Sequence, residues 1–202
     1  MNPLPRAHLW NRLDTDGTDL ALFDDHADRL LARGVVTAAD PQPHTCGYEL
    51  ATAAGFATSR LTVTVEGAGW WRQVRMERGV DGWRVTTSEQ GSGLTTDLPG
   101  IEEPDRLYDA LDVDLEATPL TNTLPIRRLG LLDAAPGTEH TITVAWMRVP
   151  SLQVMPAEQT YTAIAPGVVR YSFGRFTADL IVDADGFVTH YPGYARRTDG
   201  RH

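Results

Sequence analysis

Asp112, Asp114 and Glu116 alternate with Val113 and Leu115, ahead of a stretch holding Pro119, Pro125, Thr118, Thr121, Asn122 and Thr123, and Arg127 and Arg128 follow at once. Side chains two apart on a strand share a face, so the three carboxylates point one way and the two apolar side chains the other. Acids gathered like this are solvated, answered by cations, or set to exchange protons. The last is the chemistry of glycoside hydrolysis, in which two carboxyl groups flank the scissile bond. Alternate strand residues stand about 6.6 to 7 Å apart, within the inverting range, but any Asp-x-Asp strand meets that spacing, and no further subsite or nucleophile supports it. The other chemistry is binding. Arg127 or Arg128 can fork onto a phosphate or carboxylate, Asn122 and Gln159 can bond hydroxyls, and Trp146 or Tyr161 can offer a flat apolar face to a sugar. On an extended chain Arg127 and Arg128 face opposite ways, one inward and one outward. A plain structural reading stands equally beside the functional one: either arginine can close a buried ion pair with Asp112 or Asp114, the Asp114–Arg127 pair foremost. Thr118, Thr121 and Asn122 then serve as turn formers, and Trp70, Trp71, Trp83 and Trp146 as core or cavity wall.

Other reactive constellations fail at their first requirement. Ser92 lacks the flanking glycines of a nucleophile elbow. Gly67-Ala68-Gly69 has no third glycine, and the chain has no lysine to complete a phosphate loop. The six histidines show no i, i+4 pair, and Cys46 is the single cysteine, so no disulfide framework forms and a zinc site has little support. Asp14 and Asp16 precede Gly17 without the later oxygen ligands of a calcium loop, and Asp14 to Asp19 reads as a polar turn. No catalytic residue, metal or cofactor is assigned.

The elements that must position these residues are strands. The 202 residues are 42% hydrophobic and 22% charged, enough apolar content for a sizeable core. Eighteen basic residues, all arginine, face 27 acids, and a net charge of −9 argues against a nonspecific nucleic-acid partner. The amino terminus has no signal pattern and no run reaches the length of a membrane span, so the expectation is a soluble, cytoplasmic chain, with oligomeric state open. Leu61, Val63 and Val65 alternate with polar residues as a half-buried strand does. Trp71 to Arg78 and Trp83 to Thr87 flank an Asp81-Gly82 turn. His140 to Val149, Leu152 to Met155, Gln159 to Ile164, Val168 to Phe173 and Phe176 to Asp183 follow, punctuated by Pro150, Pro156 and Pro166-Gly167, and Asp185-Gly186 opens a last hairpin into Phe187 to Tyr191. Thr18 to Val36 fits either a helix ended by Gly34 or a β-hairpin turning at Asp24-Asp25-His26. Ser88 to Asp105 reads as an exposed loop. With no long linker or repeat, residues 1–202 form one domain.

The central run resembles the hallmark of a bacterial family of uncharacterised proteins named for glycolipid binding, whose signature is similar to Asp-x-Asp-Leu-x-x-Thr-Pro-x-Thr-Asn-Thr-Leu-Pro-Ile-Arg-Arg-Leu. Supporting marks are Trp10, the turn before Trp83, Trp146 with Val149-Pro150-Leu152, Gln159 with Tyr161, and Phe176, Asp183, Gly186, Val188 and Tyr191-Pro192. The chain departs from the family at Gly91-Ser92-Gly93. The resemblance implies a mostly β fold, a single large antiparallel sheet curled into a barrel or half-barrel similar to bacterial lipoprotein carriers, with Thr18 to Val36 as a strand pair. The function it implies is noncatalytic binding of an amphipathic lipid or glycolipid in an apolar cavity with a polar mouth. Each buried acyl methylene would contribute about 0.8 kcal/mol. A filled barrel serving as a scaffold without a small ligand is the third reading.

Overall fold

The computed structural model describes residues 6–92 and 97–198. Alternation builds its first strands, β1 (Arg6–Arg12), β2 (Gly17–Asp25), β3 (Leu30–Ala38) and β4 (His44–Thr52): β3 buries every second residue, β2 and β4 do so over most of their length, and β1 buries Trp10. The segment that fitted both periods is therefore a hairpin, with Ala21, Phe23, Leu30, Ala32 and Val36 inward. Asp19 belongs to it as well. It lies inside β2 rather than in the polar turn expected of Asp14 to Asp19, and it is fully buried.

Three longer strands follow, β5 (Thr58–Gly67), β6 (Trp70–Gly79) and β7 (Gly82–Gly91). Gly82 takes φ of 96° at the β6–β7 turn, a conformation that glycine adopts without steric cost. The expected loop from Ser88 to Asp105 holds more structure than anticipated. Strand β7 runs on to Gly91, β8 (Gly100–Ile101) forms a short bridge, and a 3-10 turn covers Pro104–Leu107. Gly93, where the chain departs from the signature, lies outside the described residues.

After β9 (Asp112–Leu115) the chain turns through a 3-10 segment, Pro119–Asn122, into a short helix α1 (Thr123–Arg128). Then come β10 (Glu139–Met147), β11 (Gln153–Ala165), β12 (Val168–Phe173), β13 (Phe176–Val182), β14 (Val188–Tyr191) and β15 (Ala195–Arg197). Pro156 does not divide β11 in two. At that position β11 has β10 on one side and no ladder partner on the other, an edge-like setting where proline is tolerated.

All strands join one sheet in the order β7-β6-β5-β4-β3-β2-β1-β15-β14-β13-β12-β11-β10-β9, with β8 against β11. The first and last strands, β1 and β15, pair in its middle, so two arms curl away from that seam. Two pairings, β9 with β10 and β8 with β11, are parallel, so the sheet is mixed rather than wholly antiparallel.

The sheet does not close into a barrel, which corrects that part of the expectation. Where the arms approach each other, a backbone bond and several bonds made by side chains replace the ladder. The Thr58 amide donates to the Leu111 carbonyl (2.8 Å) and the Val113 amide to Thr58 Oγ1 (3.3 Å). Arg78 Nη1 and Trp83 Nε1 both donate to the Ala110 carbonyl (2.8 and 3.1 Å), and Arg72 Nη1 donates to the Ser151 carbonyl (3.0 Å).

Nor is the space inside the curl left for acyl chains. The segment from Ala117 to Ile126 is buried throughout, and Leu120, Leu124 and Ile126 plug the interior. One apolar core joins Leu120 and Leu124 to the inner face of β1–β6; a second joins Ile126 and Leu131 to β11–β14.

Candidate functional site

Strand β9 is covered on both faces, because Val113 and Leu115 enter the first core while Asp112 and Asp114 point with Val144 and Trp146 of the parallel β10 toward the second. Asp112 is thereby buried and Asp114 half-buried, and the molecule treats them differently. Asp112, 1% exposed, is answered by Arg128 of α1, whose Nη2 lies 2.5 Å from Oδ2. Burial still raises its pKa, with Arg128 opposing.

Among the described residues no cation pairs with Asp114. Its Oδ2 accepts from Gln159 Nε2 (2.6 Å) and its Oδ1 from Thr121 Oγ1 (3.2 Å), and burial raises its pKa against these two bonds. Although packed deep among protein atoms, its side chain keeps access to a pocket. Gln159 and Tyr161, both buried on β11, stand behind it as a relay. Asn122 Nδ2 donates to Tyr161 Oη (3.0 Å), and Tyr161 Oη to Gln159 Oε1 (3.3 Å), which fixes the amide of Gln159 with its NH2 toward Asp114.

That pocket measures about 560 Å3 and lies between the β9–α1 segment and strands β10, β12, β13 and β14 of the second arm. Such a volume is within the range of small-molecule sites. Aromatic side chains form one wall: Trp146 and Phe173 meet edge to face at 5.1 Å, and Tyr171, Phe176, Tyr191 and Tyr194 continue it with ring separations of 4.8 to 6.2 Å. Burial and the nearby Asp114 carboxylate push the hydroxyls of Tyr171 and Tyr191 well above the ordinary tyrosine range, so both remain neutral donors. The opposite rim is polar, with Arg12, Asp14, Asp40, His44 and Glu116. Arg12 is already engaged, since its Nε and Nη2 fork onto Asp14 (2.7 and 2.5 Å) and its Nη1 donates to the Ala117 carbonyl. Glu116 sits at the mouth and accepts from the Val149 amide (2.9 Å), and its crowded setting raises its pKa.

Of the residues singled out from sequence, Asp114, Asn122 and Trp146 line the pocket, and Gln159 and Tyr161 hold its floor. Asp112, Arg127 and Arg128 lie outside its lining. The Asp114–Arg127 pair does not form. Residues 127 and 128 are helical rather than extended, and successive side chains on a helix diverge by about 100° rather than 180°. Arg127 therefore reaches Asp25 (2.5 and 3.0 Å) and the Asp185 carbonyl between the rings of Phe56 and Phe187, while Arg128 takes Asp112. Sequence reading did not assign Tyr171, Phe173, Phe176, Tyr191 or Tyr194 to a site, although Phe176 and Tyr191 stand among the marks of the resemblance. The i, i+2 spacing of Tyr171 and Phe173 in an alternating strand placed two rings on one face, but not which face the central segment would meet.

The molecule is thus an open, curled β-sheet with an internal plug and an aromatic pocket over a carboxylate that no cation reaches among the described residues. The chain belongs to the family described as "Putative glycolipid-binding", whose model matches residues 7–197. Its fold is similar to the crystal structure of a DUF1089-family protein from Pseudomonas aeruginosa, with a TM-score of 0.67 at 23% identity over 89% of this chain and 92% of the other. No curated protein matches. No helix among the described residues is long and apolar enough to cross a membrane, and no group of side chains there could hold a metal ion.

Proposed function

We propose that this chain binds the head of a glycolipid, without catalysis, in the pocket over Asp114. The observation that carries the reading is the pairing of an aromatic wall with a recessed acceptor. A carboxylate has about four acceptor sites, and Asp114 uses two, on Gln159 and Thr121. The remainder suit the hydroxyls of a sugar whose apolar face lies on Trp146 or Tyr171. Because Leu120, Leu124 and Ile126 occupy the interior, the pocket takes the head group and only the first part of an acyl chain, not a whole chain in a deep cavity. Asp114, Asn122 and Trp146 contact the ligand, with Gln159 and Tyr161 positioning them. Asp112, Arg127 and Arg128 hold the plug in place.

The test is native mass spectrometry of the protein purified without detergent, followed by titration with n-octyl β-glucoside below its micelle concentration. A bound glycolipid, or saturable octyl glucoside binding that Trp146→Ala weakens at least about tenfold, is the expected result. No bound amphiphile together with no glycoside binding would remove the reading.

A hydrolytic reading draws on one observation: Asp114 and Glu116 both border the pocket, and burial makes both harder to ionise. Turnover of an aryl glycoside by the wild type that disappears in Asp114→Asn would establish it in place of simple binding.

A further inference from the structure

The charge around the pocket is one-sided. Asp14, Asp40, Asp114 and Glu116 border it against a single lining arginine, Arg12, which is committed to Asp14 and the Ala117 carbonyl and lies 4.7 Å over the Tyr194 ring, leaving Tyr171, Phe173, Phe176 and Tyr191 as the rings without an arginine over them. The remaining nearby cation, Arg148, lies over Trp146 with its guanidinium 5.8 Å from the ring and turns outward toward Asp97. His44 at the rim is tied through Nδ1 to the Gln42 carbonyl. Asp114 thus keeps open acceptor sites at the bottom of a site walled by Trp146, Tyr171, Phe173, Phe176, Tyr191 and Tyr194, with only neutral donors on its own oxygens. An ionised carboxylate in this setting without a cation partner is costly, so in the free protein it favours the protonated form and a ligand's positive charge would favour the ionised one. Aromatic faces attract cations through their quadrupoles, by up to about 2 kcal/mol or more where water is excluded, and cages of this composition recognise ammonium groups.

We propose that the head group this pocket selects carries a cationic nitrogen, as an amino sugar does, with Asp114 as its counter-ion and the aromatic wall as its cage. This rests on the glycolipid reading and narrows it. An anionic head group is repelled by the same acids, which reverses the expectation drawn from Arg127 and Arg128. The raised pKa of Asp114 in the free protein agrees with it, since an incoming ammonium would restore the ionised form.

Four octyl probes separate the possibilities in isothermal titrations: the glycosides of glucosamine, glucose and glucuronic acid, and octyltrimethylammonium, which has the charge without the sugar. The glucosaminide is expected to bind at least about tenfold more tightly than the glucoside, the equivalent of about 1.4 kcal/mol, and the glucuronide not measurably. Asp114→Asn should bring the glucosaminide-to-glucoside ratio close to one, and Glu116→Gln should lower it less, since Glu116 sits at the mouth. Equal wild-type affinity for glucosaminide and glucoside overturns the inference while leaving the glycolipid reading intact. Binding of octyltrimethylammonium with no binding of any glycoside keeps the cation site and removes the sugar. If no probe binds, both fall. Because the wild-type ratio decides by itself, a variant that does not fold leaves the test in force.

Discussion

Asp19 enters the core from an inward position of β2, where its carboxylate accepts from Tyr48 Oη (3.3 Å) and from the Thr118 hydroxyl that caps the Pro119–Asn122 turn. Burial raises its pKa to about 7, against the pull of those hydroxyls and of Arg12. A carboxyl whose pKa is about 7 folded and near 3.8 unfolded binds more protons in the native state between those values. Stability therefore falls as pH rises through that window, by about 1.4 kcal/mol per pH step at the limit. Asp112, Asp114 and Glu116 act in the same direction. His8 acts against them. Burial and Arg197 lower its pKa to about 4, so it costs stability as pH falls from about 6.5. Urea unfolding between about pH 4.5 and 8 should show Asp19→Asn losing much of the downward slope and gaining on the wild type at the alkaline end, with His8→Gln steepening it. An unchanged slope in Asp19→Asn would mean that Asp19 titrates normally. Beside Arg127 and Asp25, Arg128 and Asp112 form one buried ion pair of the plug. Removing either alone should cost about 3 to 5 kcal/mol, while Arg128→Met with Asp112→Leu should recover most of it; additive losses in the double variant would contradict this.

At the scale of elements, the plug depends on how closely β3 and β4 let it approach. Gly34 faces inward opposite Tyr48, and a Cβ there would lie 2.3 Å from the tyrosine ring. The glycine is thus a floor for the ring, which in turn aims its hydroxyl at Asp19 and through it at Thr118. Gly34→Ala should destabilise by about 1 to 3 kcal/mol through overpacking, and Tyr48→Leu in the same chain should restore part of the loss. A neutral Gly34→Ala, measured by denaturant midpoint, would show that Tyr48 has room to move. The same residue had fitted two sequence readings, as the end of a helix or as a position in an alternating strand. Local pattern could not separate them, because what requires glycine at 34 is a ring fourteen residues further on.

For the whole molecule, the consequence of an unclosed sheet is that side chains aimed at carbonyls help hold its two arms together, beside the Thr58–Leu111 backbone bond. Arg78 and Trp83 share the Ala110 carbonyl. Either donor alone still satisfies it, so Arg78→Met and Trp83→Phe should each cost little through this bond. The double variant leaves the carbonyl unpaired and should lose about 1 kcal/mol more than the sum. Strict additivity in a double-mutant cycle would show that the carbonyl is paired in some other way. The aromatic pocket belongs to this scale as well, since its wall comes from β10, β12, β13 and the β14–β15 hairpin while its rim comes from the β1–β2 and β3–β4 turns.

Most strands were legible without the structure, because alternation at a period of two is a local signal: Leu61, Val63 and Val65 announce the buried face of β5 whatever packs against it. The acids at 112 and 114 were legible on one strand for the same reason, whereas Glu116, expected on that strand too, lies in the turn beyond β9. Tertiary structure alone decided what that strand means. Helix α1 has six residues and a proline, too short to show a helical period, yet its turn sends Arg127 to Asp25 and Arg128 to Asp112 and leaves Asp114 with neither. Closure likewise depended on whether two strand ends far apart in the chain share a ladder, and here the interior plug and the side-chain seam take its place. Desolvation sets the character of Asp19 and Asp114, and it is the sum of everything folded around them, which no single stretch of sequence contains.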